Sequence, residues 1–389
     1  MSTSTSSKEF DLVLQGATGF TGRLAAEELA LHAPVGLRWA VAGRDAGKLA
    51  ALSERLGVPF VVADGLDAEA VGRLAQRARV VLCCAGPFTR YGTLLVDACV
   101  AHGTHYADLT GEVPWVLGMI ERHHRACTEA GITLVPSSGF DSVPTDLGVL
   151  AMVDELAGGD ASPPPPIHGF FSIRGGLNGG TLHSGIALGD DGALKEFRTP
   201  VRSGPRVFRV PSLGRWAAPF LMAAVNEWVV TRSAGLLEES GAGYGSEFLY
   251  DEHLLVRSWP KARTMAGLLS LSNAMLGSKF GRGLLRRFGP KPGEGPSERS
   301  IAEGFARLTL VAGDLEAPVC VRRWDWDGDP SNRITVRCLV QTGVALAAGE
   351  AKRGGVLTPA SALGLGLLER LVATGATQGA KVAPLLAKR

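Results

Sequence analysis

The chain is poor in cysteine, in aromatic residues and in net charge. Its six cysteines are scattered over 389 residues without CxxC spacing, which argues against a disulfide framework and a structural zinc site. Lysine and arginine total 40 against 38 aspartate and glutamate, a net charge of +2, which argues against a dedicated nucleic-acid binder. Aromatic residues make up only 6 %, but a hydrophobic share of 46 % excludes a disordered, collagen-like or coiled-coil chain.

Long hydrophobic segments are also missing. The apolar runs Trp216–Val225 and Met265–Leu276 fall well short of the roughly 20 residues that cross a bilayer. The first residues have neither the basic start nor the apolar stretch of a signal peptide. We therefore expect a reduced, cytoplasmic protein, and its length suggests two or three domains.

Short apolar runs alternate with helical patterns over the first 150 residues. Such alternation is typical of βαβ units with a parallel sheet. It predicts an α/β fold whose N-terminal domain, 8–150, is Rossmann-like, with a doubly wound parallel sheet. The predicted strands are Phe10–Gln15, Leu37–Ala42, Phe60–Ala63, Val80–Cys84, His105–Asp108 and Ile132–Pro136, and the predicted helices are Phe20–His32, Asp45–Leu56, Leu94–His102 and Val113–Ala130.

The turn after the first predicted strand has the spacing Gly-x-x-Gly-x-x-Gly. It opens a helix directly, which is the context in which this motif binds a dinucleotide. Gly16 permits a tight turn, Gly19 lets backbone approach a pyrophosphate, and Gly22 allows close helix–sheet packing. The alternative is a glycine turn without a ligand. The predicted cofactor-binding residues of this turn are Gly16, Ala17, Thr18, Gly19, Phe20, Thr21 and Gly22.

The end of the second predicted strand bears on which dinucleotide binds. An NAD site has an Asp or Glu about 20 residues after the glycine motif, where it binds the ribose hydroxyls. Here Arg44 occupies that position, and Lys48 follows one helical turn later. A guanidinium suits a 2′-phosphate, so the pattern favours NADP(H) over NAD(H). Asp45 leaves an alternative open, because it could bind the ribose or cap the next helix.

A second loop follows the strand predicted at Val80–Cys84. Ligands of doubly wound sheets bind beyond the carboxyl ends of the strands, so this loop is placed to pass along the nicotinamide half of the cofactor. The alternative is that its Gly-Pro pair is only a turn. The predicted cofactor-binding residues of this loop are Cys84, Ala85, Gly86 and Pro87.

Several motifs together resemble the saccharopine dehydrogenase-like oxidoreductases. They are Gly-Ala-Thr-Gly-Phe-Thr-Gly (16–22), Ala-Gly-Arg-Asp (42–45), Ala-Gly-Pro-Phe (85–88), Gly-Thr-His-Tyr-Ala-Asp-Leu-Thr-Gly-Glu (103–112) and Gly-Phe-Asp-Ser-Val-Pro-Thr-Asp-Leu-Gly (139–148). Three more resemble the trans-acting enoyl reductase branch: Gly-Gly-Thr (179–181), Pro-Lys-Pro-Gly-Glu-Gly-Pro (290–296) and Gly-Gly-Val-Leu-Thr-Pro-Ala-Ser-Ala (354–362). That branch reduces a polyketide-derived chain during complex lipid synthesis. The resemblance therefore implies an NADPH-dependent enoyl reductase.

The family fold adds a second α/β domain, which covers the cofactor cleft and often mediates dimerisation. The resemblance thus implies a substrate and dimerisation domain, which we place at 165–350, and a homodimer. A linker at Gly158–Pro166, stiff at its proline end, supports that boundary. The predicted strands of this domain are His168–Arg174, Ala306–Ala312, Val319–Trp326 and Ile334–Val340.

The C-terminal segment, 355–389, contains one more helix pattern. Thr358 and Pro359 supply an N-cap and a first-turn proline for a helix to about Val372. The resemblance implies that this helix returns to the first domain. Residues after Ala373 are predicted to be weakly ordered.

The reduction that the resemblance implies needs a proton donor. Hydride from the cofactor leaves an enolate, which has to be stabilised and protonated without a metal or a covalent nucleophile. Tyr106 is the first candidate for the catalytic proton donor, and the alternative is a half-buried strand tyrosine with a satisfied hydroxyl. Asp108 and Glu112 are expected to hold loops or to cap the helix that follows Glu112. Phe140, Asp141 and Ser142 form the other candidate group, and the alternative is a turn in which Asp141 or Ser142 caps the next helix.

Three functions stay open at this point. The first is an NADPH-dependent reductase of the carbon–carbon double bond of a lipid or polyketide acyl chain. The second is an amino- or keto-acid oxidoreductase of saccharopine dehydrogenase type, which needs clustered arginines for several carboxylates. Around Gly175–Gly189 the sequence has Arg174 alone. The third is a non-enzymatic, lipid-associated scaffold that binds NADP.

The segment Arg257–Gly293 combines basic and apolar residues. It contains eight lysines and arginines and no acidic residue. We expect it to dock on something acidic and apolar, either an anionic membrane at the inner face of the plasma membrane or an acyl-carrier domain that delivers the substrate chain. The alternative is a core-packing helical hairpin with a solvated basic face.

Overall fold

The computed structural model describes residues 8–157, 164–176, 179–190, 192, 206–239, 241, 244–245, 248–291 and 293–381. The chain packs as two compact units. The first is Met1–Ser138 with Val336–Leu357, and the second is Gly139–Thr335 with Thr358–Arg389. Each unit has its own seven-stranded sheet. The domain ranges expected from the sequence stay predictions, because packing does not test independent folding.

The first unit contains a parallel sheet. Numbered along the whole chain, its strands are β1 (Phe10–Gln15), β2 (Trp39–Gly43), β3 (Phe60–Val62), β4 (Ala78–Cys83), β5 (His105–Asp108), β6 (Thr133–Val135) and β13 (Gly355–Val356). Their order is β13-β6-β5-β4-β1-β2-β3, with every pair parallel. Leu12, Val13 and Leu14 of the central strand are fully buried, as expected for a sheet covered on both faces. The predicted doubly wound sheet is confirmed.

The helices of the first unit include the four predicted ones and several more. They are α1 (Phe20–His32), α2 (Ala46–Leu56), α3 (Ala68–Arg77), α4 (Phe88–Tyr91), α5 (Thr93–Ala101), α6 (Val113–Ala130) and α13 (Thr335–Ala347). The sequence pattern did not predict α3. The Asp67 side chain caps this helix by accepting from the backbone N–H groups of Glu69 and Ala70, both at 3.0 Å.

The strand predicted at Ile334–Val340 is wrong, because this segment forms the start of α13. A short apolar, β-branched run matches either element. Helical spacing brings Val336 and Val340 to the same buried side. At Gly343 the helix lies so close to Leu82 of β4 that an added Cβ would overlap with that side chain. Packing against the sheet therefore decides for the helix.

The second unit contains a mixed sheet. Its strands are β7 (Ile167–Arg174), β8 (Phe208–Val210), β9 (Arg215–Pro219), β10 (Tyr250–Val256), β11 (Phe305–Gly313), β12 (Pro318–Asp327) and β14 (Thr377–Lys381). Their order is β14-β12-β11-β7-β10-β9-β8. The β7–β10 pair is parallel, and the other described pairs are antiparallel. The strands predicted at His168–Arg174, Ala306–Ala312 and Val319–Trp326 are confirmed.

Thr377–Lys381, beyond Ala373, form β14, which corrects the prediction of weak order for this part of the tail. β14 pairs antiparallel with β12, from Thr377 opposite Trp326 to Lys381 opposite Arg322. An edge strand takes its hydrogen-bond partners from a distant part of the chain, so the local sequence carried no signal for it. Residues 382–389 of the predicted tail and 158–163 of the predicted linker lie outside the described residues.

The last helix predicted for the chain is observed in the second unit as two shorter helices. The unit contains α7 (Val143–Ala157), α8 (Gly179–Asp190), α9 (Ala223–Glu238), α10 (Trp259–Gly277), α11 (Lys279–Phe288), α12 (Glu298–Ala302), α14 (Pro359–Leu363) and α15 (Leu365–Ala373). The single helix predicted after Thr358 is interrupted at Gly364, whose φ is +63°. Both halves pack on α7, part of which falls in the predicted first domain, 8–150. Among the described helices, none combines the length and the apolarity needed to cross a membrane.

Candidate functional site

The turn between β1 and α1 is held in a form that only glycine permits at two positions. Gly16 has a φ of +81°. Its N–H and that of Ala17 donate to the carbonyl of Ala42 on β2, at 2.9 and 3.0 Å. At Gly22 an added Cβ would overlap with the Gly16 carbonyl. The glycines therefore bring the helix start directly against the end of β1.

The start of α1 is open. Gly19 is its N-cap, in extended conformation, and supplies no side-chain cap. A Cβ built on Gly19 would meet a single neighbouring atom within 4 Å, the Gly16 carbonyl oxygen at 3.3 Å. The first N–H groups of a helix have no acceptor within it, and they lie at its positive end. These groups, on Phe20, Thr21 and Gly22, suit an anion such as a pyrophosphate.

The loop after β4 lies beside this turn, as expected. The Cys84 N–H donates to the carbonyl of Gln15 at 2.9 Å. An added Cβ on Gly16 would lie 2.9 Å from the backbone nitrogen of Ala85. The structure therefore brings the two predicted cofactor-binding segments, 16–22 and 84–87, together at the carboxyl ends of β1 and β4. This is the edge at which doubly wound sheets bind ligands.

A buried carboxylate holds the end of that loop. Pro87 follows Gly86 in a cis peptide bond and leads into α4. The N–H groups of Phe88 and Thr89 donate to the two carboxylate oxygens of Glu112, at 2.9 and 2.8 Å. Glu112 thus holds this loop, as expected, but its side chain caps α4 and not α6, the helix that it precedes. The sequence could not show which helix, because α4 is distant along the chain and only four residues long.

The end of β2 is followed by an exposed arginine, Arg44, and by Asp45, whose carboxylate already accepts a hydrogen bond. Asp45 caps α2 by accepting from the Lys48 N–H at 3.0 Å, and this bond lowers the pKa of Asp45. The Lys48 ammonium lies 3.6 Å from the same carboxylate. Arg44 is exposed and has no ion-pair partner in the part of the chain that the structure describes. The capping alternative for Asp45 is thus the one observed, and Arg44 is available to an anionic ligand.

Tyr106 lies in a closed network. Its side chain is 1 % exposed, and its hydroxyl donates to Asp108 at 2.8 Å. The other Asp108 oxygen accepts from the N–H groups of Thr110 and Ser137, at 2.9 and 3.1 Å. Burial raises the pKa of Asp108 to about 7. This geometry is that of a satisfied structural tyrosine, and it ties the ends of β5 and β6 together.

Asp141 and Ser142 lie just before α7, in the second unit. Asp141 is partly exposed, and burial raises its pKa to about 6. Ser142 is fully buried, and its hydroxyl has no hydrogen-bond partner within the described residues. Among those residues neither side chain caps α7. A carboxyl with a raised pKa and a buried hydroxyl that has no partner among the described residues are thus adjacent in sequence.

A comparison with protein families matches residues 12–135 to the saccharopine dehydrogenase NADP-binding domain. The matched range runs from β1 to β6 and includes the glycine turn, Arg44 and the loop after β4. The cofactor is therefore NADP(H), as the basic residues after β2 predicted.

Relatives match almost the whole chain. A Mycobacterium tuberculosis protein provisionally named a trans-acting enoyl reductase is 36 % identical over 412 residues, which cover 95 % of this chain and 96 % of that protein. The trans-acting enoyl reductases of Mycobacterium bovis and Mycobacterium leprae are 32 % and 33 % identical. Both alignments cover 96 % of this chain and 98 % of the relative.

Solved structures share the fold. The apo form of saccharopine dehydrogenase (L-Glu forming) from Saccharomyces cerevisiae matches with a TM-score of 0.60 and 12 % identity, covering 96 % of this chain and 99 % of its own. The homospermidine synthase of Legionella pneumophila, solved with NAD, gives 0.54 and 12 %, covering 97 % and 93 %. With the motifs and the near full-length relatives, these findings show that the chain belongs to the saccharopine dehydrogenase-like family of NAD(P)-dependent oxidoreductases, in its trans-acting enoyl reductase branch.

Proposed function

We propose that this protein uses NADPH to reduce the carbon–carbon double bond of a lipid or polyketide-derived acyl chain in the biosynthesis of a complex lipid or glycolipid. The observation that carries the proposal is the near full-length similarity to proteins named trans-acting enoyl reductase. The open helix start beside the loop after β4 supports it, because it leaves room for the cofactor that such a reduction needs.

The geometry of the first unit supports the following cofactor-binding roles. The N–H groups at the start of α1 bind the pyrophosphate, and the glycines keep side chains out of its space. Arg44, with Lys48 beside it, binds the 2′-phosphate. The loop of Cys84–Pro87, held by Glu112, lies along the nicotinamide half. When bound, the cofactor supplies the hydride.

The protein's own task is to control the proton. Tyr106 was the first candidate, but its hydroxyl is already donated to Asp108, which favours a positioning role. Asp141 is then the other candidate, because it is partly exposed and because its raised pKa favours the protonated form. We expect Asp141→Asn to lower kcat for reduction while leaving the Kd for NADPH unchanged, with Tyr106→Phe as the comparison.

The second candidate function, oxidoreduction of an amino or keto acid, finds less support. A substrate with several carboxylates needs unpaired arginines. Arg174, the arginine that precedes Gly175–Gly189 in the sequence, pairs with Glu303 at 3.0 Å. This pair lies at the surface, and an arginine whose charge is already balanced attracts a carboxylate less.

The test is cofactor oxidation with defined substrates. We expect the protein to oxidise NADPH in the presence of an acyl chain carried as an α,β-unsaturated thioester. Absorbance measures the oxidation of NADPH, and mass spectrometry identifies the reduced product. If NADPH is oxidised with 2-oxoglutarate and lysine instead, the saccharopine-type function is favoured. NADPH binding without oxidation in either case would select the scaffold.

A further inference from the structure

Helices α10 and α11 expose several large apolar side chains. Phe280 and Phe288 of α11 are 84 % and 74 % exposed, and Leu284 between them is also exposed. Leu268 and Leu271, on the neighbouring α10, are each more than half exposed. We call these five side chains the apolar patch. Soluble proteins seldom leave several large apolar side chains in solvent at one place unless the place is an interaction surface.

Helix α11 buries a charged side chain and exposes apolar ones, the reverse of an ordinary surface helix. Phe280, Leu284 and Phe288 have the spacing i, i+4, i+8, which brings them to one side. Arg282 lies on the opposite side, where it is buried and pairs with Asp190 at 2.7 Å. The helix thus buries a paired charge and exposes its apolar stripe. A hairpin that only packed on the core would do the reverse, so the core-packing alternative does not explain this stripe.

The segment that carries the apolar patch also carries positive charge. Arg282 and Arg286 pair with Asp190, whereas the other basic side chains of the segment have no ion-pair partner in the described part of the chain. The guanidinium carbon of Arg287 lies 5.5 Å from the centre of the Phe288 ring, so charge and apolar surface share one location. The unpaired cations are Arg257, Lys261, Arg263, Lys279, Arg287 and Lys291.

We propose that the apolar patch and its unpaired cations dock the protein on the surface of an anionic lipid bilayer. Exposed phenylalanine and leucine side chains enter the boundary between headgroups and acyl chains, and lysine and arginine contact the lipid phosphates. The proposal concerns recruitment to a membrane and does not depend on the reaction proposed above.

A bilayer fits this surface better than a protein does. Phe280 and Phe288 enter a bilayer without needing matched pockets, whereas a folded acyl-carrier domain would have to provide pockets for both rings. A second copy of this chain fits poorly, because a two-fold contact through the patch would bring like charges against each other.

The apolar part of the proposal is tested by vesicle flotation of the full chain. We expect binding to vesicles of phosphatidylcholine mixed with phosphatidylglycerol, and at least about tenfold weaker partitioning for the double variant Phe280→Ser/Phe288→Ser. Leu31→Ser/Val35→Ser is the matched control, because both residues are exposed apolar side chains of the first unit. Equal losses in the two double variants would overturn the proposal. NADPH affinity and Tm, unchanged in every variant, show that the fold is intact.

The charge part is tested with the same vesicles. Reversal of Lys279 and Arg287 to Glu should weaken binding at least about tenfold, since each basic residue near an anionic surface contributes about fivefold, and Lys352→Glu should not. Binding should also fall steeply with salt. Equal binding to pure phosphatidylcholine vesicles would overturn the proposal. So would the absence of vesicle binding at low salt, whether or not an acyl-carrier domain binds.

Discussion

Two helices of this protein begin in opposite ways. Helix α1 begins at Gly19, which has no side chain to offer and leaves the first N–H groups without a side-chain cap. Helix α14 begins at Thr358, which forms a capping box with Ser361. The N–H of Ala360 donates to Asp146 at 2.8 Å. Backbone donors thus find protein partners where the helix is structural, and they stay available where the fold provides for a ligand.

The largest expected effect is the loss of NADPH binding when a side chain is added at the start of α1. In Gly19→Val the side chain occupies the space meant for the pyrophosphate, so we expect NADPH binding to be lost. The fold should survive, because a φ of −71° and a ψ of 171° are accessible to valine. Fluorescence titration and thermal unfolding measure the two effects. Gly235→Val, at an exposed position of α9 with open space around it, is the control. Retained NADPH affinity would show that the turn is structural only.

The next effect concerns the cation beside the open start. Arg44→Asp should weaken NADPH binding by about 1.5–3 kcal/mol, the scale of a lost charged hydrogen bond, and leave NADH binding largely unchanged. Isothermal titration with both cofactors measures the difference. Arg73→Asp, an exposed arginine of α3, should alter neither. Equal affinity of the unmodified protein for NADH and NADPH would contradict the assignment.

The closed network of Tyr106 and Asp108 predicts a pH-dependent effect. The folded-state pKa of Asp108 is about 7, above the ordinary value, so its ionisation costs stability as pH rises from about 4 to about 7. The Tyr106 hydroxyl opposes this cost by donating to the carboxylate. Tyr106→Phe should therefore lower the free energy of unfolding by about 1.5–3 kcal/mol at about pH 8 and by only about 1 kcal/mol at about pH 5.

Urea unfolding of both proteins at the two pH values checks this expectation. If Tyr106→Phe lowers the free energy of unfolding equally at the two pH values, Asp108 is not ionised near neutral pH in the folded protein. A loss of kcat far larger than the loss of stability, at both pH values, would return Tyr106 to the role of proton donor.

The smallest expected effect is the loss of stability when the side-chain cap at the start of α14 is removed. Thr358→Val removes the N-cap of α14 and should lower the free energy of unfolding by about 1–2 kcal/mol, without changing the Kd for NADPH. Thr264→Val, on the exposed part of α10, should stay within about 0.5 kcal/mol of the unmodified protein. Chemical denaturation of both variants gives the comparison. No difference between them would mean that the capping box contributes nothing to α14.

Local patterns in the sequence were sufficient for the first sheet and its glycine turn. The alternation of short apolar runs with helical segments predicted β1 to β6, because strand and helix periods are local properties. The Gly16–Gly22 spacing predicted the open start, because each glycine answers a steric demand of the neighbouring turn. The place of Arg44 directly after β2 could likewise be read from the sequence, and its contact with a 2′-phosphate stays a prediction.

Contacts between distant segments decided the rest. The segment after Ile334 became a helix because it packs on β4, and Thr377–Lys381 became a strand because β12 offers it an edge. Tyr106 acquired its closed environment from Asp108, and Phe280 and Phe288 were left outward because Arg282 took the buried side of α11. Chain periodicity records which residues are apolar, but burial and hydrogen-bond partners are set by segments that meet only in the folded protein.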